Sequence, residues 1–494
     1  MSNSLTRVLS LTFVVGAAVS AGACMVGPKY APPTVVAPAA FKELPPGDDT
    51  MQPAQPSDAA HRGVWWDVFG DPRLNDLEAK LIAGNPSLAQ AEARYQQARA
   101  LVRESRSQLY PNAGVSGSVE RGRPSSRQGG TVGVSQSATT QYGVQGTASW
   151  ELDFWGRVRQ TVSASVATAQ ASAGDRETTR LSLAAELATN YFQLRSLDAE
   201  NQLFDETIDA YQRSYTLTQN QYSAGIVARA DVAQAETQLE AARAQAIDLK
   251  LQRAQIEHAI AIIVGVPPAA LSLDMAPLTG DPPLVPPEVP SRLLERRPDI
   301  AAAERRVAAA NAQIGVASAA FFPTITLGAS AGFETTQLQK LLSWPSGFWS
   351  VGPALALTVF DAGARRAAHA RATASYDEAV GAYRETVLGA FADVEDNLAA
   401  QRLLADESAR QQAAVTAARQ ALDISLNQYR AGLINYLQVA IGQTTLLANQ
   451  RAEVSLSARR YGAAIALIRA VGGGWNGQLG DSAQAGPTPT PGAH

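Results

Sequence analysis

The chain predicts an α+β membrane protein in which a few amphipathic strands are joined to very long helices. Three observations lead there: a tandem internal duplication, four stretches that alternate with period two, and helical runs far too long for a compact globule. The duplication is the clearest. Asn85-Pro86-Ser87-Leu88 recurs as Arg297-Pro298-Asp299-Ile300, and Leu109-Tyr110-Pro111 recurs as Phe321-Phe322-Pro323, both at an interval of 212 residues. Gln221-Tyr222-Ser223-Ala224-Gly225 returns as Gln428-Tyr429-Arg430-Ala431-Gly432, and Val264-Gly265 as Val471-Gly472, both at 207. A repeat of this length decides the architecture before any single element does. Each half reads helix, strand, loop, strand, very long helix, sharp break, long helix.

Residues 1–23 resemble a secretory signal, with Arg7 before a short apolar run, Val8 to Ala18, that is too short to span a bilayer comfortably. Ala21-Gly22-Ala23-Cys24 then resembles a lipobox, which marks Cys24 for acylation, although Ala21 stands where Leu is usual. An ordinary signal cut near Ala23, leaving Cys24 unmodified, is the alternative. Cys24 is the single cysteine, which excludes an intramolecular disulfide and any CxxC site. Residues 24–62 form a Pro- and Ala-rich tether. Ordered structure begins near Trp65-Trp66, and Asp71-Pro72 reads as a helix cap with Pro in the first turn. That helix runs to about Ala83, and the next from about Ser87 to Leu109.

Repeat 1 is placed at 63–275, with strands about 112–121 and 142–154 and long helices about 156–222 and 228–264. Repeat 2 is placed at 291–474, with strands about 324–334 and 349–360 and helices about 362–429 and 434–471. In the second strand Tyr142, Val144, Gly146, Ala148, Trp150, Leu152 and Phe154 alternate with Gly, polar and acidic residues. Ile325, Leu327, Ala329, Ala331 and Phe333 do the same in the third. Trp349, Val351, Leu355, Leu357 and Val359 form the fourth stripe, with Pro353 expected to distort it. Segments of about ten residues with one apolar face suit a transmembrane barrel, whereas a soluble sheet with one wet face gives the same alternation.

From Gly156 to Tyr222 there is no Pro and one internal Gly, Gly174. A helix of that span is roughly 100 Å long, so it must run beside others. Leu194, Leu197, Asn201, Phe204, Ile208, Tyr211, Tyr215, Thr218 and Tyr222 follow heptad spacing, as do Val232, Ala235, Leu239, Ala242, Ala246 and Leu249. Gly225 and Gly432 end these helices, as C-terminal caps that need positive φ. Residues 276–290 are a Pro-rich linker, and 475–494 a Pro/Gly/Ala tail.

A formal net charge of −4 gives no reason to expect a nucleic-acid partner. The four His are scattered, so no metal site is expected. No acid pair, Ser-His-Asp set or phosphate loop points to an enzyme, and no cofactor is expected. Four strands cannot close a barrel, and an open edge is not tolerated in lipid. Two copies would give eight strands and three would give twelve, of which only the larger leaves a lumen.

Cys24-Met25-Val26-Gly27-Pro28-Lys29-Tyr30, Trp65-Trp66 with Phe69 and Asp71-Pro72, Arg296-Arg297-Pro298-Asp299-Ile300, Phe322-Pro323 and the two Tyr-x-x-Gly turns resemble the TolC family. The match is to its lipoprotein branch of NodT/OprM-like outer-membrane factors. The resemblance implies a homotrimer, with a 12-stranded barrel continued by a periplasmic 12-helix tube. It implies a lipid-anchored exit duct of a tripartite efflux pump in the outer membrane, partnered by a periplasmic adaptor and an inner-membrane RND-type transporter. It places the periplasmic gate at Asp231, Gln234, Tyr429, Leu437, Gln438 and Ile441. Similar members carry acids where this chain has Gln438 and Ile441, which leaves Asp231 as the nearby acid. Asp231 and Tyr429 are expected to hydrogen-bond between helices, although Asp231 equally suits the first turn of its helix. The adaptor is expected at Tyr222, Ser223, Gly225, Tyr429, Arg430 and Gly432. A type I secretion duct, a metal-efflux duct and a trimeric coiled-coil structural protein are the alternatives.

Overall fold

The computed structural model describes residues 25–35, 38, 41–43, 64–123, 138–283 and 297–473. The signal segment, Cys24, most of the tether and of the first strand-pair loop, part of the linker and the C-terminal tail lie outside the described residues. The elements are α1 (Pro72–Gly84), α2 (Pro86–Ser107), β1 (Asn112–Gly122), β2 (Thr139–Glu151), α3 (Arg157–Ser223) and α4 (Arg229–Val264). They continue with α5 (Pro298–Ala319), β3 (Thr324–Thr335), β4 (Gly347–Ala356), α6 (Ala364–Arg430) and α7 (Tyr436–Ala470). The duplication is visible in the lengths: α2 and α5 have 22 residues each, and α3 and α6 have 67 each. Both 22-residue helices start on Pro, whose missing N–H is no loss in a first turn.

The chain divides into two compact units, one of residues 1–34, 94–172 and 303–383, the other of 35–93, 173–302 and 384–494. The first unit holds an antiparallel sheet in the order β1-β2-β3-β4. Cross-strand partners share a face, so Val119 opposite Tyr142, Val144 opposite Phe333, and Ala331 opposite Trp349 build one apolar side. The other side carries Gln145, Thr147, Ser330 and Ser350, and the last two hydrogen-bond at 2.9 Å. The apolar face is bare: Val115 is 83% exposed and Trp349 77%.

Two strand ends differ from the alternation pattern. β2 stops at Glu151 because Asp153 turns to cap α3, accepting from the Val158 and Arg159 amides at 2.9 and 2.8 Å. β4 stops at Ala356 rather than near 360, since its partner begins at Thr324, paired with Ala356, directly after Pro323. Asp361 repeats the Asp153 cap, accepting from Gly363 and Arg365 amides at 3.0 and 3.2 Å. The distortion expected at Pro353 does not interrupt the ladder, where Pro353 lies opposite Leu327. β4 is an edge strand, where Pro is tolerated.

In the second unit Trp65, Trp66, Leu74, Leu77, Leu81, Tyr191, Phe192 and Tyr461 share one core. Asp71 caps α1 through the Arg73 and Leu74 amides at 2.8 and 3.2 Å, and accepts the Tyr191 hydroxyl at 2.6 Å. The heptad seam packs as its spacing requires, with Leu197, Phe204 and Tyr211 of α3 against Leu239, Ala242, Ala246 and Leu249 of α4. The start of the linker is fastened to these helices. Buried Asp198 binds Arg253 at 2.6 Å, Arg195 at 3.1 Å and the Ala276 amide at 3.0 Å. The same arginines donate to the Leu273 and Asp274 carbonyls, each at 2.7 Å.

Glu78 stands apart in this core. It is fully buried on α1, and neither carboxylate oxygen has a hydrogen-bond partner among the described residues. Burial pushes its pKa up to about 9, with Arg180 opposing the rise. The folded value lies above the unfolded one, so the native state holds the proton longer. Stability then falls as pH rises from the ordinary carboxyl range toward 9. Glu78→Gln keeps the neutral shape, and its thermal midpoint should fall less between pH 5 and pH 8 than that of the parent. Equal slopes in a pH series of melting curves would contradict this assignment.

Candidate functional site

The candidate site is the pair of turns that end α3 and α6. At the first, Gly225 has φ 73°, its amide donates to the Tyr222 carbonyl at 2.9 Å, and the Ile226 amide reaches the Gln221 carbonyl at 2.9 Å. At the second, Gly432 has φ 74°, with Gly432 to Tyr429 at 3.0 Å and Leu433 to Gln428 at 2.9 Å. Both are Schellman caps, whose left-handed residue favours Gly because a Cβ would crowd the carbonyl. The backbone chemistry of the two turns is therefore the same, bond for bond.

Their side chains differ. Tyr222 is 45% exposed, whereas Tyr429 is 2% exposed. The Tyr429 hydroxyl donates to Thr218 Oγ1 at 3.0 Å, and its ring meets Tyr436 edge-on at 5.6 Å. The Tyr436 hydroxyl donates to Gln443 Oε1 at 3.1 Å, and Gln443 Nε2 donates to Ser214 Oγ at 2.9 Å. Ala235, Tyr429, Tyr436, Val439 and Ala440 form the surrounding core. Gln238 Nε2 adds bonds to the Ala440 carbonyl at 3.1 Å and Thr444 Oγ1 at 3.3 Å. Each neutral bond is worth about 1 kcal/mol net. Together they tie the α3–α4 hairpin to the α6–α7 hairpin close to the turns. Burial raises the Tyr429 pKa, and nearby Asp231 raises it further.

Asp231 and Tyr429 are not hydrogen-bonded to each other, contrary to expectation. The tyrosine is committed to Thr218, and Asp231 Oδ2 accepts from the Ala228 amide at 3.3 Å. That bond is one half of a capping box; Ala228 offers no side-chain acceptor for the other half. Gln234, Leu437, Gln438 and Ile441 are exposed, Leu437 at 50% and Ile441 at 51%. The repeat interval of 207 makes Gln438 the counterpart of Asp231, and Ile441 that of Gln234. Ser223, Arg430 and both glycines are exposed at the turns. Thr218, Ser214, Gln443 and Tyr436 were not anticipated as partners of this site. Thr218 does occupy a heptad seam position, and a small hydroxyl side chain where the seam calls for a large apolar one was the available signal.

Among the described residues no helix is long and apolar enough to cross a membrane. The bare apolar face belongs instead to the four-stranded sheet. The profile of the outer membrane efflux protein family matches residues 78–266 and 289–473, and the chain belongs to that family. The toluene efflux pump outer membrane protein TtgC of Pseudomonas putida is 31% identical over 501 residues, covering 99% of this chain and all of that protein. The pyoverdine export outer membrane protein OpmQ of Pseudomonas aeruginosa is 31% identical over 469 residues, covering 94% and 96%. The solved outer-membrane channel OprN has a TM-score of 0.83 at 30% identity, covering 92% of this chain and all of that one. The chain is thus the outer-membrane exit duct of an efflux pump, with a periplasmic helical extension.

Proposed function

We propose that three copies close a twelve-stranded barrel and that cargo leaves through the shared bore. The supporting observation is the pair of open edges: among the described residues β1 and β4 each have a single neighbour, and the sheet between them has an exposed apolar face. Such edges are satisfied in lipid only by pairing with another copy. Eight strands would be filled by side chains, so a conducting duct favours twelve. Cys24, acylated, anchors the chain to outer-membrane lipid, on the strength of the lipobox-like residues before it.

The periplasmic mouth in this reading is ringed by the half-buried Asp231 and by exposed side chains after the two turns. Asp231 and Gln438 occupy equivalent positions of the two repeats, so a trimer alternates three acids with three amides at one level. Gln234 and Ile441 alternate one turn further on, and Leu437 adds an apolar constriction. Opening separates the two hairpins, which the Tyr429–Thr218 and Tyr436–Gln443–Ser214 bonds oppose. A periplasmic adaptor docks at the turns, where Tyr222, Ser223, Arg430 and both glycines are accessible, and supplies the binding energy for opening. An inner-membrane RND-type transporter selects and drives the cargo. Relatives of equal identity are named for toluene efflux and for pyoverdine export, which supports a duct that does not itself choose the cargo.

The acid ring should favour cations. Two unit charges 4 Å apart interact by about 1 kcal/mol even in bulk water, so Asp231→Asn should reduce the cation-to-anion permeability ratio several-fold in planar bilayers. An unchanged reversal potential would sink the ring. For the adaptor, single cysteines at Ser223 and Arg430 should form adducts with a co-expressed adaptor carrying a thiol-reactive crosslinker, with the parent chain, whose one cysteine is Cys24, as the control. Absence of adducts at both positions would count against docking at the turns.

A further inference from the structure

Residues 25–30 follow Cys24 and lie on the first unit in a fixed pose. The Val26 amide donates to the Trp155 carbonyl at 3.1 Å, and Asn311 Nδ2 donates to the Pro28 carbonyl at 3.1 Å. The Tyr30 hydroxyl donates to the Glu304 carboxylate. Gly27, at φ +123°, lies so close to α5 that a Cβ would come within 2.6 Å of Gly315 Cα. The missing Cβ of Gly27 permits that backbone contact, while the space a Cβ would take at Gly315 is filled by the Gln160 side chain. An extended segment that merely linked an anchor to a barrel would need none of these bonds.

Beside this clamp is an apolar pocket of about 400 Å³, lined by Val26, Ser318, Phe321, Phe322, Arg366, His369 and Ala370. Its aromatic wall is held in place. Phe322 stacks on Trp155 at 4.7 Å, and Trp155 Nε1 donates to the Pro323 carbonyl at 2.8 Å. Phe321 meets His369 edge-on at 6.3 Å, with the Arg365 guanidinium 5.6 Å above its ring. Phe321 and Phe322 remain 40% and 37% exposed. The pocket sits where β3 begins, next to the end of β2, the end of the sheet from which α3 departs.

We propose that this pocket seats an acyl chain carried by Cys24. The proposal rests on the acylation put forward above. Val26 is both a wall of the pocket and two residues from Cys24, so the modified sulfur starts within roughly 7 Å of backbone reach. An acyl chain offers methylenes to Val26, Phe321, Phe322 and Ala370, whose removal from water is favourable. The uncharged esters and amide of a lipidated cysteine present carbonyl acceptors, which suits Arg366 and His369 among the lining residues. The clamp over residues 25–30 then has a purpose: it fixes the lipid's point of departure against the sheet.

The test uses the full chain made in cells fed palmitate with a diazirine midway along its chain. The protein is purified from outer membranes, irradiated and digested with trypsin. Acylated Cys24 should be crosslinked to the peptide 307–340 or 367–371. Ala370→Trp, which fills the pocket, should cut that adduct at least several-fold while intact mass shows Cys24 still acylated. If Cys24 is acylated but neither peptide carries an adduct, or if the adduct persists at equal yield in Ala370→Trp, the seat is refuted and the anchor stands. If intact mass shows Cys24 unmodified, both the seat and the anchor fall.

Discussion

The controlling constraint is that every backbone amide and carbonyl in hydrocarbon must find a partner. Among the described residues there are four strands, and β1 and β4 are each paired on one side only. The apolar face adds a second demand, since an exposed Val115, Trp349 and Val351 stripe is costly in water. Lipid and a neighbouring copy answer the two demands together. The long helices follow from the same logic. A 67-residue helix with a narrow seam cannot bury itself alone, and its heptad spacing presents it to a partner.

Duplication then supplies the working parts in pairs, and divergence makes them unequal. The two Schellman turns match bond for bond, yet one tyrosine is exposed and the other is locked to Thr218. The same split separates Asp231 from Gln438. The tip therefore holds one buried, hydrogen-bonded tyrosine and one exposed tyrosine. The hydrogen bonds that tie the two hairpins together there are neutral and few. Their summed worth is a few kcal/mol.

Much of this was legible in the sequence. Period-two alternation located all four strands, and the Pro and Gly punctuation located the helix breaks, because both signals are local. The strand ends were less legible. Leu357 and Val359 continue the stripe of β4, but pairing ended with the partner at Thr324, and a partner's start is not written in the strand itself. Pro353 read as a distortion because sequence does not say which strand is an edge. At the tip, the Tyr429 hydroxyl found Thr218, 211 residues away, whereas the family resemblance offered Asp231 on another helix. Asp231 instead satisfied its own helix terminus through Ala228. The Gly27–Gly315 contact was illegible for a related reason: a glycine signals close approach without naming what approaches.

The claim beneath all of this is that three copies pool their strands. Native mass spectrometry of the detergent-purified protein tests it most directly. Three chains per particle, with no stable lower species in the absence of denaturant, is the predicted result. A particle of one or two chains that still conducts in bilayers would contradict it.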